Sequence, residues 1–242
     1  MSFVHIRDLQ PFQFNKKIKV RVCRIWRPKL IGYDDQFGGL QCILVDQMAD
    51  AIQATVKEID YDLIGAKIKA GCIYEITHFH SGRSKTSHKV VPHAAHLFFN
   101  TRTVFTELSS VYPQIPRHRF YFLDYGQLCT RIDKNEILTD VLGHITAVQP
   151  LEEKMVGNGR KEDVRITLWG DTVRAFDFQA LEELAPPIIT VFTSLKVKQF
   201  QVYKCVGKTV LNSSVSTMIF IDPDIQELDT YKMTYDFLSS LC

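Results

Sequence analysis

Residues 18–46 read IKVRVCRIWRPKLIGYDDQFGGLQCILVD, and residues 140–170 read DVLGHITAVQPLEEKMVGNGRKEDVRITLWG. Each stretch contains a strand, a polar loop with glycine, and a second strand, and each is followed by a candidate helix and two more strand-like runs. A unit of about 100 residues with this order occurs twice, which predicts two small β-barrels in tandem. Small, partly open barrels of this kind commonly bind oligonucleotides.

The overall composition is that of a folded protein. Apolar residues make up 45% of the 242 positions and charged residues 23%, which argues against general disorder. No apolar run approaches the roughly 20 residues that a membrane span needs, and the first residues, MSFVHIRDLQ, do not resemble a secretory signal. We therefore expect an intracellular protein with no membrane partner.

The cysteines and histidines do not form a metal-binding pattern. The six cysteines, at positions 23, 42, 72, 129, 205 and 242, include no CxxC pair, so a zinc ribbon is not expected and the thiols are expected to stay reduced. Histidines are dense between His78 and His96, but no carboxylate or cysteine completes a ligand set with zinc-like spacing. Neither a metal nor a cofactor is predicted.

Charge is distributed unevenly along the chain. Residues 1–110 carry 15 Lys and Arg against 10 Asp and Glu, whereas residues 111–242 carry 14 against 17. A modestly basic first part favours a polyanionic partner. P-loop, HExxH and GxSxG motifs are absent from the sequence, so an enzyme is not predicted.

Hydrophobic periodicity places the expected elements in two groups. In the first group we expect strands at 18–25, 40–45, 51–56, 72–79 and 90–99, and a helix at 60–70. In the second we expect a helix at 173–184, strands at 188–200 and 210–221, and an amphipathic C-terminal helix that begins near Asp224. The predicted domains are residues 1–101 and 137–242, joined by an ordered connector at 102–136.

Several stretches resemble a known family. IRDLQPFQFNKKIKVRVCRIW and LQCILVDQMADAIQATV in the first half, and LTDVLGHITAVQPLE, VRITLWGDTVRAF and IFIDPDI in the second, resemble the tandem central DNA-binding domains of the replication protein A large subunit, above all its plant-type paralogues. The resemblance covers nearly the whole chain. It implies a mainly β fold of two five-stranded Greek-key OB-fold barrels in tandem, each with one helix, plus a C-terminal helix.

The same resemblance implies a function. Proteins of this family bind single-stranded DNA without catalysis and with weak sequence preference, in DNA replication, recombination and repair. A nuclear location follows from it, with other replication protein A subunits or repair proteins as further partners. Binding of this kind lays bases on aromatic faces while cationic groups follow the phosphates.

The resemblance assigns base stacking in the second unit to Trp169, in the LWG motif, and to Phe200, in VKQF. The alternative for Trp169 is a core tryptophan at the end of a strand. In the first unit the family's two aromatic positions hold Leu40 and Ile76 instead. Other aromatic residues of that unit are then the stacking candidates, with a buried structural role as the alternative: Trp26, Tyr74 and Phe79.

Basic residues on the predicted groove strands and loops are the expected phosphate contacts. In the first unit they are Arg21, Arg24, Arg27 and Lys29, together with Arg83 and Lys85 on a loop that can fold over a bound strand. In the second unit they are Arg165, Lys196 and Lys198.

Two departures from the family pattern support a rival hypothesis. The first unit lacks the two aromatic residues, and in the second only EEKMVGNGRKED stands where a full strand is usual, so a shortened hairpin around Gly157–Gly159 replaces it or the barrel is open. An OB-fold scaffold that has lost its nucleic-acid face and binds proteins would show the same features. Exposure of Trp169 and Phe200 on one groove favours nucleic-acid binding, and burial of both favours the rival.

Overall fold

The chain divides into two compact units, residues 1–120 and 121–242. The computed structural model describes residues 3–30, 32–33, 36–109, 114–132, 134, 136–148, 164–200 and 208–239. The boundary between the units falls inside the stretch that the sequence assigns to a connector. None of the helices in the described part of the chain has the length and apolar character needed to span a bilayer.

The first unit is a closed barrel. Its strands are β1 (Lys17–Trp26), β2 (Leu40–Val45), β3 (Ala51–Val56), β4 (Ile73–Thr77), β5 (His80–Arg83), β6 (Ala95–Phe99) and β7 (Val104–Leu108). They pair in the order β5-β6-β3-β2-β1-β4-β7. β4 runs into β5 across only His78 and Phe79, and His78 has a left-handed conformation (φ 56°). Together they form one bent strand, which pairs with β1 at one end and with β6 at the other and so closes the barrel. This is the predicted five-stranded barrel, with β7 added on β4.

Alternating side chains of these strands fill the barrel. Ile18, Val20 and Val22 of β1 lie in the same buried cluster as Leu40 and Leu44 of β2. Successive strand residues point to opposite faces, so the alternating apolar residues of the strand predicted at 18–25 face the core up to Val22. Between Val22 and Arg24 the register against β2 shifts at a β-bulge, which the sequence did not reveal.

The helical element of the first unit lies between β3 and β4. A 3₁₀ turn at Glu58–Asp60 is followed by helix α1 (Tyr61–Ile64) and by a second 3₁₀ turn at Gly65–Lys67. The predicted helix is therefore present in shorter form. Its connection to β4 passes through Gly71, whose φ of +84° is accessible to glycine at little cost.

The described strands of the second unit repeat part of the strand pairing of the first. Its strands are β8 (Thr139–His144), β9 (Arg165–Thr167), β10 (Ile189–Phe200), β11 (Lys208–Asn212) and β12 (Ile219–Ile221). β10 pairs with β8, β11 and β12, and β9 pairs in parallel with β11, as β3 does with β6. β10 bends at Ser194 (φ 56°) and so corresponds to β4 plus β5. The predicted hairpin at Gly157–Gly159 lies outside the described residues.

The helices of the second unit correct one prediction. Two short helices, α2 (Asp171–Arg174) and α3 (Phe178–Glu182), replace the single helix predicted at 173–184. The Asp177 carboxylate accepts the backbone N–H of Ala180 at 3.0 Å, and an aspartate that caps a helix start in this way ends the preceding helix. Helix α4 (Gln226–Ser239) confirms the predicted C-terminal helix.

Candidate nucleic-acid interface

The outer face of β10 carries two of the predicted cations. Leu195 and Val197 lie in the core cluster of the second unit. Because strand residues alternate between the two faces of a sheet, Lys196 and Lys198 lie on the outer face. Both are half-buried.

Strand register brings Arg165 into the same face. Lys198 pairs with Val210 of β11, and Val210 pairs with Arg165 of β9. Ile166, the neighbour of Arg165, packs against the core, which leaves Arg165 outside. With strands about 4.8 Å apart, the backbones of Lys198 and Arg165 are about 10 Å apart across one continuous surface, which we call the basic face.

Trp169 lies just beyond β9, at the end of the basic face. Its side chain is 62% exposed, so the alternative of a core tryptophan is wrong. Its backbone N–H donates to the Ser213 hydroxyl at 2.8 Å, and Ser213 in turn donates its N–H to the Thr167 carbonyl at 2.9 Å. These bonds tie an exposed indole to β9 and to the end of β11.

Phe200, the second aromatic residue predicted to stack in this unit, is the last residue of β10 and pairs with Lys208. Its side chain lies outside the described part of the structure. The stacking role of Phe200 stays a prediction.

In the first unit, the family's two aromatic positions are core positions. Leu40 and Ile76 are both buried in the barrel. Tyr74 and Phe79 are each only 2% exposed and belong to the same core cluster, where Tyr74 meets Phe105 edge-on at 6.1 Å. A base cannot reach the face of a buried ring, so the prediction that Tyr74 and Phe79 stack bases is wrong.

Two predicted phosphate contacts of the first unit hold a covering segment, residues 114–120, on the outer side of β1. Arg21 donates from Nε to the Ile115 carbonyl at 3.0 Å and from a terminal nitrogen to the Gly71 carbonyl at 2.6 Å. Arg24 is only 2% exposed, and its guanidinium lies 5.8 Å from the Phe120 ring centroid. For Arg24 the phosphate prediction is wrong because the bulge in β1 and the covering segment bury it.

In the loop after β1, Arg27 also contacts residues of the first unit. Arg27 forms an ion pair with Glu58, and its guanidinium lies 4.1 Å from the Phe37 centroid and 3.7 Å from that of Tyr61. Glu58 neutralises the charge, so Arg27 holds this loop against the helical element. Trp26 and Lys29 beside it are half-buried.

The remaining two cations of the first unit are accessible. Arg83 ends β5 and Lys85 follows it, and both are exposed.

Near these two cations lies a column of rings formed by Phe14, His80, Phe98 and His96. Sequence reasoning missed it because its members come from three separate stretches of the chain. The lack of Asp and Glu around these stretches was the only available signal.

Among the dense histidines, His93 has a structural role. His93 accepts the Ala95 N–H at 2.9 Å with one ring nitrogen and contacts the Ile6 carbonyl at 3.0 Å with the other. No cluster of three or more His, Cys, Asp or Glu side chains able to hold a metal occurs among the residues that the structure covers.

Comparison with known proteins supports the fold. Residues 7–125 match the family model described as a domain of unknown function, DUF223. A solved replication protein A heterotrimer bound to single-stranded DNA contains a chain with 20% identity and a TM-score of 0.61, covering 96% of this chain and 55% of that one. No curated protein matches the sequence.

Single OB domains also match, each over less than half of the chain. DNA-binding domain A of S. cerevisiae replication protein A has 20% identity and a TM-score of 0.36, covering 45% of this chain and 96% of that domain. Schizosaccharomyces pombe Pot1pC bound to single-stranded DNA has 10% identity and a TM-score of 0.34, with 47% and 91% covered. The fold therefore rests on the heterotrimer chain: the protein is an OB-fold protein similar to replication protein A.

Proposed function

We propose that the protein binds single-stranded DNA, without catalysis and with weak sequence preference, through the basic face of its second unit. The observation that carries the proposal is the placement of Arg165, Lys196 and Lys198 on one face of the sheet, with the exposed Trp169 at its end. In proteins that bind single strands, basic side chains of this kind contact the phosphates, and an exposed indole offers a face on which a base stacks.

The arrangement suits a single strand better than a duplex. Stacking on Trp169 needs a base whose face is free, and bases in a duplex are stacked on each other. Each base stacked on an aromatic residue contributes about 1–3 kcal/mol with little sequence preference, because every base has a π face. The similar heterotrimer structure is itself of a complex with single-stranded DNA, which supports the same choice of ligand.

The cellular role follows from the resemblance and is part of the proposal. We propose action in the nucleus, in DNA replication, recombination or repair, with other replication protein A subunits or repair proteins as partners. The chain spans 55% of the length of the heterotrimer chain that it matches.

A second function is favoured for one part of the molecule. In the first unit, Leu40 and Ile76 lie in the core, and the covering segment occupies the outer side of β1 through Arg21 and Arg24. An OB barrel altered in this way suits protein binding. The alternative function is therefore a protein-interaction module that has lost nucleic-acid binding.

Fluorescence anisotropy of a labelled oligo-dT of about 30 nucleotides, long enough for two OB units, distinguishes the two functions. We expect saturable binding at low salt that weakens at moderate salt. An unlabelled duplex of the same length should compete much less well than oligo-dT. Absence of binding at low salt would overturn the proposal in favour of the protein-interaction module.

A further inference from the structure

Four rings form a column on the outer surface of the first unit. Phe14 lies against His80 with centroids 6.2 Å apart and planes 21° apart. His80 lies against Phe98 at 5.2 Å and 15°. His96 closes the inner end at 4.9 Å and 45° from Phe98. The first two pairs are near-parallel and in stacking contact, whereas His96 is tilted against Phe98.

The strands position the inner rings of the column. His80 of β5 pairs with Phe98 of β6, and Gly82 pairs with His96. A Cβ atom at Gly82 would lie 2.9 Å from the Phe98 ring. The missing side chain at position 82 therefore gives the Phe98 ring its place over β5.

Backbone bonds hold the outermost ring in position. Residues 12–14 run alongside β5: Phe12 donates its N–H to the Ser81 carbonyl at 2.8 Å, and Ser81 donates its N–H to the Gln13 carbonyl at 3.1 Å. Gln13 also donates its N–H to the Ser81 hydroxyl at 2.9 Å. Phe14 follows directly, so its position is set by the barrel.

The outer end of the column is open. Phe14 is 64% exposed although it is a large apolar ring. Phe12 beside it is also exposed and lies 5.7 Å from the Arg83 guanidinium. A rigid exposed aromatic ring that already stacks on one side offers its other side to a planar ligand at little cost in conformational entropy.

The positive charge around the column favours an anionic ligand. No Asp or Glu occurs from Ile76 to Thr106, a stretch that contains Arg83, Lys85, Lys89 and Arg102. Arg83 and Lys85 stand beside the column and are exposed. A nucleotide, which carries a planar base next to a phosphate, is the ligand that suits both the exposed ring and the positive charge.

We propose that the Phe14 column is a second base-stacking site. A base of the bound single strand stacks on Phe14 and extends the column, and Arg83 and Lys85 contact the adjoining phosphates. This site rests on the proposed function and adds the first unit to it. It compensates for the loss of aromatic residues at Leu40 and Ile76 by using a different part of the barrel. Two linked sites on one strand raise each other's effective concentration.

The test is oligo-dT anisotropy with Phe14→Ala, whose exposed ring leaves the core unchanged. Loss of one stacked base predicts about 5- to 150-fold weaker binding with an unchanged dependence on salt. Phe14→Tyr should restore affinity, and Phe14→Leu, which keeps apolar bulk but has no π face, should not. Phe3→Ala is the matched control, since Phe3 is 53% exposed and lies outside the column.

The outcomes separate this site from the proposed function. If Trp169→Ala weakens binding and Phe14→Ala does not, the column site is wrong and the function stands. If only Phe14→Ala weakens binding, the column stands and the stacking role of Trp169 is wrong. Wild-type protein that does not bind at low salt overturns both, and equal losses in Phe14→Ala and Phe3→Ala would contradict a specific site.

Discussion

Ser213 accepts the backbone N–H of Trp169 at 2.8 Å, so the hydroxyl of one residue fixes where the exposed indole of the other stands. The side chain of Trp169 takes no part in that bond and is 62% exposed, so the ring is available to a ligand. The bond fixes the backbone position of Trp169 before any strand arrives.

Trp169→Ala should weaken oligo-dT binding by about 5- to 150-fold, the loss expected for one stacked base, without lowering thermal stability. Ser213→Ala should weaken binding less, because it frees the loop but keeps the ring; its cost in folding stability should be about 1 kcal/mol. Anisotropy and thermal melts measure the two effects. A large stability loss in Trp169→Ala would contradict an exposed, functional ring.

Neutralising the basic face should change the salt dependence of binding. For a single strand, each phosphate contact adds about 0.7 to the slope of log K against log salt. Lys196→Gln, Lys198→Gln and Arg165→Gln should each reduce the slope by about that amount. Lys232→Gln is the control, because Lys232 pairs with Asp222 at 2.7 Å outside the basic face. Equal slopes in all four variants would contradict the assignment of the face.

The covering segment can be tested through Cys23. Its thiol lies 3.8 Å from the Pro116 carbonyl, and burial raises its pKa to about 12, so the native protein should resist thiol reagents at this position. Arg24→Ala should loosen the segment, cost about 1–3 kcal/mol, and speed the labelling of Cys23. Cys42, buried in the barrel with a pKa raised to about 12, should stay protected; if both thiols react together, the change is global unfolding.

His96 should make the first unit sensitive to acid. The Thr55 hydroxyl donates to Gln41 at 2.7 Å, so His96 donates its Nε2–H to Thr55 at 2.7 Å. Burial, followed by the charge of Lys85, lowers the pKa of His96 to about 4, whereas the unfolded chain takes up the proton near pH 6.5. Stability present above pH 6.5 is therefore lost as the pH falls towards 4, by about 3 kcal/mol in all.

Urea unfolding at pH 7, 6 and 5, followed by Trp26 emission in a Trp169→Phe background, measures this loss. His96→Gln in the same background is the comparison, because glutamine does not titrate. The pH dependence of wild type should exceed that of His96→Gln over this range. Parallel curves for the two proteins would contradict a buried neutral His96.

Local patterns in the sequence predicted most of the strands and less of the site. The single strand predicted at 210–221 is two strands, β11 and β12, and the strand predicted at 90–99 begins only at Ala95. The strands at 40–45 and 51–56 match β2 and β3 because their apolar runs reflect burial directly: all six residues of β2 and four of the six residues of β3 are buried. The bulge at Val22–Arg24 and the covering segment were missed, since each depends on contacts with distant residues. The same reason explains why Arg24, which is basic by sequence, is buried, and why Phe14, His80 and Phe98 were not seen as one column.

The chain has only two tryptophans, Trp26 and Trp169, which makes stacking directly observable. In Trp26→Phe the sole tryptophan emission comes from Trp169. We expect oligo-dT to quench that emission with the same midpoint as the anisotropy titration, because a base stacked on the indole quenches it. Saturable binding that leaves the Trp169 emission unchanged would contradict base stacking on the second unit.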